Sequence, residues 1–316
     1  MLTYTMRPHI SFNLANTAQQ RGLTLIELLV SLVIGLLLAI VASSTYLYSK
    51  QAYNAVSETS QVEENGRFAL TMLARNIQTA GYVSIDKATT AAPGPSDLKI
   101  QGCDFGMVRP QSPTTSADLA CQPSTPAGVS RSSSISAFYD TDAFGAASTS
   151  FQGFDCLGNA PVPVVNAVTG NTTYQVRNYF YVSTTNVQTP GGTTTMGQLS
   201  CVTDPTGGSG PAASGFSPGQ PLIAGVQQIG VTYLTGSLLE KTAAQTRNTA
   251  AAITAAAAWP KVLAVELCVL TKSVQASGND SGSQVTDCFG NTFTPPQYQS
   301  FRRFTTTVNL RNRTSG

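Results

Sequence analysis

The sequence predicts an α+β protein in which one long N-terminal helix packs on an antiparallel β-sheet. An apolar run covers residues 23–42, and helical spacing of apolar residues continues beyond it. Short segments rich in β-branched and aromatic residues then alternate with turn-rich stretches. The apolar run is typical of a membrane-spanning helix, and the alternation of strand-like and turn-rich segments is typical of an antiparallel sheet. The 316 residues are enough to bury a sizeable core.

The apolar run, LTLIELLVSLVIGLLLAIVA, has the length of a bilayer-spanning helix, about 20 residues. The residues before it include Arg7, His9 and Arg21 and no acidic residue. An ordinary secretory signal has a shorter apolar core of about 7 to 15 residues, so the run favours a membrane anchor. Basic residues on its N-terminal side predict a cytoplasmic N-terminus and an extracytoplasmic remainder.

One charged residue, Glu27, lies inside the apolar run. A glutamate near the end of a membrane helix can reach the interface at modest cost, which is the simplest explanation. Alternatively, cleavage after Gly22 would make Glu27 the fifth residue behind a new amino terminus at Leu23. The α-amine of one helix and the carboxylate of a neighbouring helix could then neutralise each other in lipid and select the register of an assembly.

The segment RGLTLIELLV, residues 21–30, resembles the class III signal of type IV pilins and type II secretion pseudopilins. The resemblance implies that a prepilin peptidase cleaves between Gly22 and Leu23. It also implies that Leu23 is N-methylated and that Glu27 acts in assembly. Leucine stands where the family most often has phenylalanine, but the position remains apolar.

Beyond the apolar run, the pattern predicts that the helix continues to Gly81, which is a good stop signal. The predicted helix is roughly 55 residues long. Gly66 interrupts the pattern at a cost of about 1 kcal/mol relative to alanine. The residues expected on the buried face are Phe68, Met72, Leu73, Ile77 and Ala80.

In the head, β-branched and aromatic enrichment or alternation predicts strands at 132–139, 174–183, 221–234, 262–271 and 304–310. Residues 89–127 are rich in Pro, Gly, Ser and Thr and are expected to form ordered loops. The alanine-rich stretch 241–258 is expected to be helical until Trp259-Pro260. No internal repeat is apparent.

Four segments also resemble PilW, a family of minor pilins. They are residues 63–82 of the helix and residues 222–227, 259–267 and 303–312 of the head. The resemblance therefore covers the N-terminal 80 or so residues and three blocks of the head. It implies a pilin fold for the whole chain.

Six cysteines, all beyond the apolar run and even in number, predict disulfides in an oxidising compartment. No histidine follows His9 and the cysteine spacing is unlike that of a zinc finger, so no metal site is predicted. Pairing in sequence order would close local loops, although the sequence leaves the other connectivities open. The expected pairs are Cys103–Cys121, Cys156–Cys201 and Cys268–Cys288.

The sequence offers no catalytic residues, so we predict neither an enzyme nor a cofactor. Without a histidine after His9, schemes such as Ser-His-Asp are excluded. The S-x-x-K pattern at 84–87 lacks its companion motifs, and Asp140-Thr141-Asp142 lacks the remaining ligands of a calcium loop. Residues 23–316 carry equal numbers of basic and acidic residues with no basic patch, so no direct nucleic-acid binding is predicted.

The expected organisation is a leader peptide at 1–22, a long helix at 23–82 and a β-rich head at 83–316. The membrane span is expected at about 23–43. The chain is expected first in the inner membrane as a single-pass protein with its head in the periplasm, and then in the extracellular pilus, or fimbrium.

By resemblance, the function is that of a minor pilin that helps to initiate type IV pilus assembly in a tip complex and supports twitching motility and adhesion. The implied partners are other minor pilins, the major pilin, the prepilin peptidase, the inner-membrane platform protein and a tip adhesin. One alternative is a J-type pseudopilin of a type II secretion system. Another is an adhesive binding module that the pilus presents.

Overall fold

The structure is a computed structural model of the chain. It describes residues 24–82, 100–107, 121–125, 130–141, 143–144, 150–151, 153–161, 163–165, 172–189, 192–204, 219–236, 245–273, 284–296 and 299–311. The chain divides into two compact units, Met1–Lys50 and Gln51–Gly316.

One long helix and a series of antiparallel strands make up the described chain. In order they are α1 (Leu25–Thr79), β1 (Ile100–Cys103), β2 (Ser134–Asp140), β3 (Ala143–Phe144), β4 (Ser150–Phe151), β5 (Pro163–Val165), β6 (Thr172–Thr189), β7 (Gly192–Asp204), β8 (Gln220–Ala224), β9 (Val226–Thr235), β10 (Thr246–Asn248), α2 (Ala250–Ala255), a 3₁₀ turn (Trp259–Lys261), β11 (Val262–Lys272), β12 (Val285–Thr286), β13 (Thr292–Phe293) and β14 (Phe301–Asn309).

The strands form two main antiparallel sheets. The larger has the order β1-β2-β6-β7-β8, with β5 beside β6, and the smaller has the order β10-β9-β11-β14. Two short hairpins, β3-β4 and β12-β13, lie outside them. The predicted α+β class, with a long helix on antiparallel strands, is confirmed. The sequence did not indicate that the strands divide between two sheets.

The second half of α1 buries one helical stripe in the head. Leu73, Ile77 and Ala80 are buried as expected, and Met72 packs beside them. The prediction for Phe68 was wrong, because its side chain is 53% exposed. Phe68 lies about 100° around the helix from its neighbour Ala69, which faces the core and is fully buried. The other buried members of the stripe are Glu58, Val62 and Gly66.

Gly66 is part of the contact between α1 and the smaller sheet. A Cβ atom at this position would overlap the ring of Phe304 on β14. The glycine therefore permits a close approach of helix and strand, which offsets its low helix propensity. A hydrogen bond also joins α1 to the larger sheet, since Asn65 Nδ2 donates to Ala224 O on β8 at 3.1 Å.

The helix ends as the glycine signal predicted. α1 stops at Thr79, and Gly81 has a φ of 75°, in the left-handed region that suits glycine. The backbone N–H of Gly81 then donates to Phe138 O on β2 at 2.7 Å. The chain thus leaves the helix directly onto the larger sheet.

The core lies between α1 and the two sheets. Its central aromatic pair is Tyr233 on β9 and Trp259, whose rings meet edge to face at 5.0 Å. Tyr233 is fully buried, and burial raises the pKa of its hydroxyl well above the usual value, with a smaller contribution from the charge of Asp104.

The predicted strand at 221–234 is two strands in different sheets. β8 pairs with β7 and β9 pairs with β11, and the chain changes sheet at Gly225. Gly225 has a φ of 84°, and a Cβ there would meet Lys272 O at 2.8 Å. Periodicity could not locate this switch, because alternation continues on both sides of it.

The predicted helix at 241–258 is mostly wrong. Residues 241–244 lie outside the described residues, Thr246–Asn248 form β10, and only Ala250–Ala255 are helical. The short helix α2 is held at its start by the carboxylate of Asp104, which accepts the N–H groups of Ala250 and Ala251, both at 2.9 Å. Pairing of β10 with β9 outweighs the helix propensity of this alanine-rich stretch, which is weak over so few residues.

The stretch 89–127 was expected to form loops, but its described residues, 100–107 and 121–125, include the strand β1. Ile100–Cys103 form β1, which pairs with β2 over four residues. The hydroxyl of Tyr233 lies where a Cβ of Gly102 would be, so this strand approaches the core closely. Contact with the core, rather than local composition, makes these residues a strand.

All six cysteines are in disulfides, which join Cys103 to Cys121, Cys156 to Cys201 and Cys268 to Cys288. Two of these bonds start from the same local structure. Residues 155–159, Asp-Cys-Leu-Gly-Asn, form turn A, and residues 287–291, Asp-Cys-Phe-Gly-Asn, form turn B.

The aspartate organises each turn in the same way. Its Oδ1 accepts the N–H groups two and four residues further on, both at 2.8 Å, and its Oδ2 accepts the asparagine side chain at 3.0 Å. Gly158 and Gly290 both have positive φ, at 82° and 87°. The two turns are therefore a repeat that the sequence analysis missed.

Each turn is also attached to a sheet in the same way. The cysteine N–H of turn A donates to Asn178 Oδ1 on β6, and that of turn B donates to Gln228 Oε1 on β9. Cys201, the disulfide partner of Cys156, lies on β7, which is next to β6. Cys268, the disulfide partner of Cys288, lies on β11, which is next to β9. Each main sheet is thus fastened to one Asp-Cys-X-Gly-Asn turn.

We predict that Gly66→Ala destabilises the head by about 1 to 3 kcal/mol, because the added methyl group overlaps the Phe304 ring. Helix propensity alone would predict that alanine raises the free energy of unfolding. Urea unfolding of the detergent-solubilised chain measures the difference. Gly35→Ala is the matched control, since a Cβ there meets nothing within 4 Å. Equal effects of both substitutions would contradict the close-approach explanation.

We predict that Asp287→Ala lowers the free energy of unfolding by about 2 kcal/mol at neutral pH, because several bonds to a charged group are lost. Burial alone would raise the pKa of Asp287, but hydrogen bonds from Asn291, Phe289 and Gln228 hold it below the usual 3.8. Stability from this carboxylate is therefore present above pH 3.8 and is lost as the pH falls through the lowered pKa. A difference between variant and wild type that is unchanged down to pH 2 would contradict this role.

Candidate assembly segment

The start of α1 is determined by Thr24. The N–H of Glu27 points back to Thr24, at 3.0 Å from its carbonyl oxygen and 3.4 Å from its Oγ1. A threonine followed three residues later by glutamate is the sequence of a capping box, which favours a helix start at this point. Gly22 and Leu23, the predicted processing site, lie outside the described residues.

Glu27 lies in the first turn of α1, and its side chain is exposed. The partial positive charge at a helix N-terminus favours a carboxylate in this turn. No other charged residue occurs until Lys50. Glu27 is therefore a single negative charge at the N-terminal end of a long uncharged helix surface.

The surface behind Glu27 is apolar on every side. The Leu, Ile and Val side chains from Leu25 to Val41 are between 48% and 82% exposed. Among the described residues, α1 is the helix long and apolar enough to cross a membrane. A surface of this kind is unstable in water and is suited to lipid or to packing against other apolar helices.

Three hydroxyl groups on this surface, those of Ser31, Ser44 and Thr45, form hydrogen bonds within the helix. Ser31 Oγ donates to Leu28 O at 2.9 Å, and Ser44 Oγ and Thr45 Oγ1 donate to Val41 O at 2.9 and 2.8 Å. These bonds remove free donors that would be costly in lipid. Glu27 is left as the polar side chain whose charge needs a partner from outside the helix when the surface is in an apolar environment.

The head contains no arrangement of side chains that indicates catalysis within the described residues. No group of three or more His, Cys, Asp or Glu side chains in this part of the chain is placed to hold a metal ion. Asp104 caps α2, and Asp140 accepts a hydrogen bond from Gln175 at 2.9 Å. The residues of the S-x-x-K pattern and Asp142 lie outside the described residues.

Comparisons with known proteins match both ends of the chain. Residues 17–43 match the prokaryotic N-terminal methylation motif, and residues 179–312 match the family of type IV pilus-assembly protein W. A solved type IV-like pilin from Thermus thermophilus is similar over 80% of this chain and 99% of that chain, with 15% identity and a TM-score of 0.36. A search of curated proteins found no match. Residues 179–312 are therefore similar to type IV pilus-assembly protein W, and residues 17–43 are similar to the N-terminal methylation motif.

Proposed function

We propose that this chain is a minor pilin of the PilW family and that it helps to initiate assembly of the type IV pilus as part of a tip complex. The observation that carries the proposal is the single carboxylate, Glu27, on the exposed apolar surface of α1 within the residues that match the methylation motif. An uncharged helix would pack in many registers, whereas one buried charge permits few. The role of the helix is therefore to join the filament in a defined register.

In this mechanism, cleavage between Gly22 and Leu23 creates the cation that Glu27 requires. The α-amine of Leu23 lies four residues before the carboxylate, which corresponds to about 6 Å along a helix. Glu27 of this chain pairs with the amino terminus of a neighbouring subunit, and N-methylation of Leu23 leaves the positive charge in place. An unpaired charge costs about 2.5 to 3.5 kcal/mol at the centre of a membrane helix and less near its end, so the pair favours the aligned assembly.

Before assembly, the apolar part of α1 holds the chain in the inner membrane, with the head in the periplasm. The basic residues Arg7 and Arg21 support this orientation, and the disulfides suit an oxidising compartment. The partners are the prepilin peptidase and platform protein in the membrane, then other minor pilins, the major pilin and a tip adhesin. Twitching motility and adhesion depend on the pilus that results.

We predict that Gly22→Ala leaves the full-length precursor in the membrane, because the peptidase cleaves behind the glycine. The mass of the chain in membrane extracts measures processing. Thr3→Ala, in the leader but away from the cleavage site, is the control and should be processed normally. A shortened chain in the Gly22→Ala strain would contradict the processing site.

We predict that Glu27→Gln is processed normally but is reduced at least about tenfold in sheared pili, because the neutral side chain does not pair with an amino terminus. Immunoblots of membranes and of pili measure the two quantities. Ser31→Ala, one turn further along the same surface, is the matched control and should enter pili normally. Wild-type amounts of the Glu27→Gln chain in pili would contradict the charge-pairing mechanism.

A strain that lacks the gene distinguishes the pilus from a secretion system. Deletion of the gene should reduce surface pili while secretion of exoproteins continues. Loss of secretion with normal pili would instead support a J-type pseudopilin.

A further inference from the structure

The hairpin of β6 and β7 is longer than the sheet around it. β2 pairs with β6 only from Gln175 to Phe180, and β8 pairs with β7 only from Gln198 to Cys201. Beyond these points, residues 182–189 of β6 pair with residues 192–199 of β7, of which 192–197 lie past the pairing with β8. Residues 182–189 and 192–197 are called the arm, and among the described strands no third strand pairs with either segment.

The neighbouring strands cannot continue along the arm because the chain leaves the sheet on both sides. Before β2, the N–H of Ser133 donates to Ile229 O on β9 at 2.7 Å. After β8, the chain turns at Gly225, whose N–H donates to Gly197 O at 3.0 Å, and enters the smaller sheet as β9. The open edges therefore follow from the way the two sheets are connected.

The arm lacks the features that usually protect an open edge. No charged residue occurs between Arg177 and Asp204. Natural proteins commonly block exposed edges with charges, because an edge offers unpaired backbone donors and acceptors to any extended chain. β14, which is an edge strand of the smaller sheet, carries the exposed Arg302 and Arg303.

The arm is also held in shape before any partner arrives. On one face, Gln188 Nε2 donates to Thr193 Oγ1 at 2.8 Å and Thr195 Oγ1 donates to Asn186 Oδ1 at 3.5 Å. At its base, Met196 is buried in the head. A preformed edge binds a strand at a lower entropic cost than a loop that must first become ordered.

We propose that the β6 edge of the arm, residues 182–189, binds an extended segment of another pilus subunit by β-strand addition. The edge offers about 25 Å of backbone hydrogen-bonding groups. These groups match another backbone, and the uncharged surface gives no attraction to a charged ligand. The β7 edge is less open, because the carbonyl of Val226 approaches Gly197 closely.

The partner is assigned as a pilus subunit on the basis of the proposed function, which places other subunits beside this head during assembly. Strand addition would give the tip complex a head-to-head contact in addition to the packing of N-terminal helices. Specificity would then lie in which neighbour presents an uncharged extended segment.

The first test places a photo-crosslinking phenylalanine analogue at Asn186 in the full-length chain of piliated cells. Thr305, exposed on the arginine-bearing edge β14, is the matched control position. We expect irradiation to join position 186, but not 305, to an extended peptide of another pilus subunit, identified by mass spectrometry. Adducts with proteins other than pilus subunits, or no adduct at 186 while this chain is present in pili, would overturn the proposal.

The second test adds charge to the arm with the double substitution Thr184→Lys and Asn186→Lys. The pilus subunit that crosslinks to position 186 should be recovered with this chain in at least tenfold lower yield. Thr305→Lys with Thr307→Lys on β14 is the matched control and should leave the yield unchanged. Undiminished recovery with the arm variant would overturn the proposal. Absence of the wild-type chain from pili would instead contradict the proposed function.

Discussion

A carboxylate on an otherwise uncharged apolar helix is the constraint on which the account depends. The exposed Leu, Ile and Val side chains of α1 favour an apolar environment, and Glu27 opposes the same environment until it finds a positive partner. Both demands are met when several such helices pack together and each carboxylate meets the amino terminus of a neighbour. The anchor in the membrane and the contact in the filament are then the same surface in two settings.

The head depends on a different set of interactions. Gly66 lets α1 approach β14, and disulfides fasten turns A and B to the two sheets. In each turn an aspartate holds the backbone in position around the cysteine, so the covalent bond joins two preformed pieces. The connections between these sheets leave the arm without a third paired strand among the described residues. Stability and the proposed contact surface therefore arise from the same topology.

Features that depend on neighbours in the sequence could be predicted. The class, the long helix, its stop near Gly81 and the strands β11 and β14 follow from periodicity, glycine and β-branched residues. Thr24 and Glu27 are three residues apart, and this spacing contributes the helix cap and places the charge that we propose acts in assembly.

Features that depend on residues distant in the sequence could not be predicted. The position at which β14 approaches α1 decides that Phe68 is exposed and that only a residue without a Cβ fits at Gly66. The switch at Gly225 depends on two sheets that no periodicity reveals. The short length of α2 depends on the pairing of β10 with β9, and its start is held by Asp104 from another part of the chain. The repeated Asp-Cys-X-Gly-Asn turn was readable from the sequence, but a five-residue repeat gives no periodicity to detect.

The central claim, that α1 is processed and then packed into a filament through a new amino terminus, is tested most directly by mass spectrometry. The measurement is the N-terminal peptide of this chain recovered from sheared pili. The account predicts a peptide that begins with N-methylated Leu23. A chain in pili that still carries residues 1–22, or that begins with an unmethylated residue other than Leu23, would contradict it.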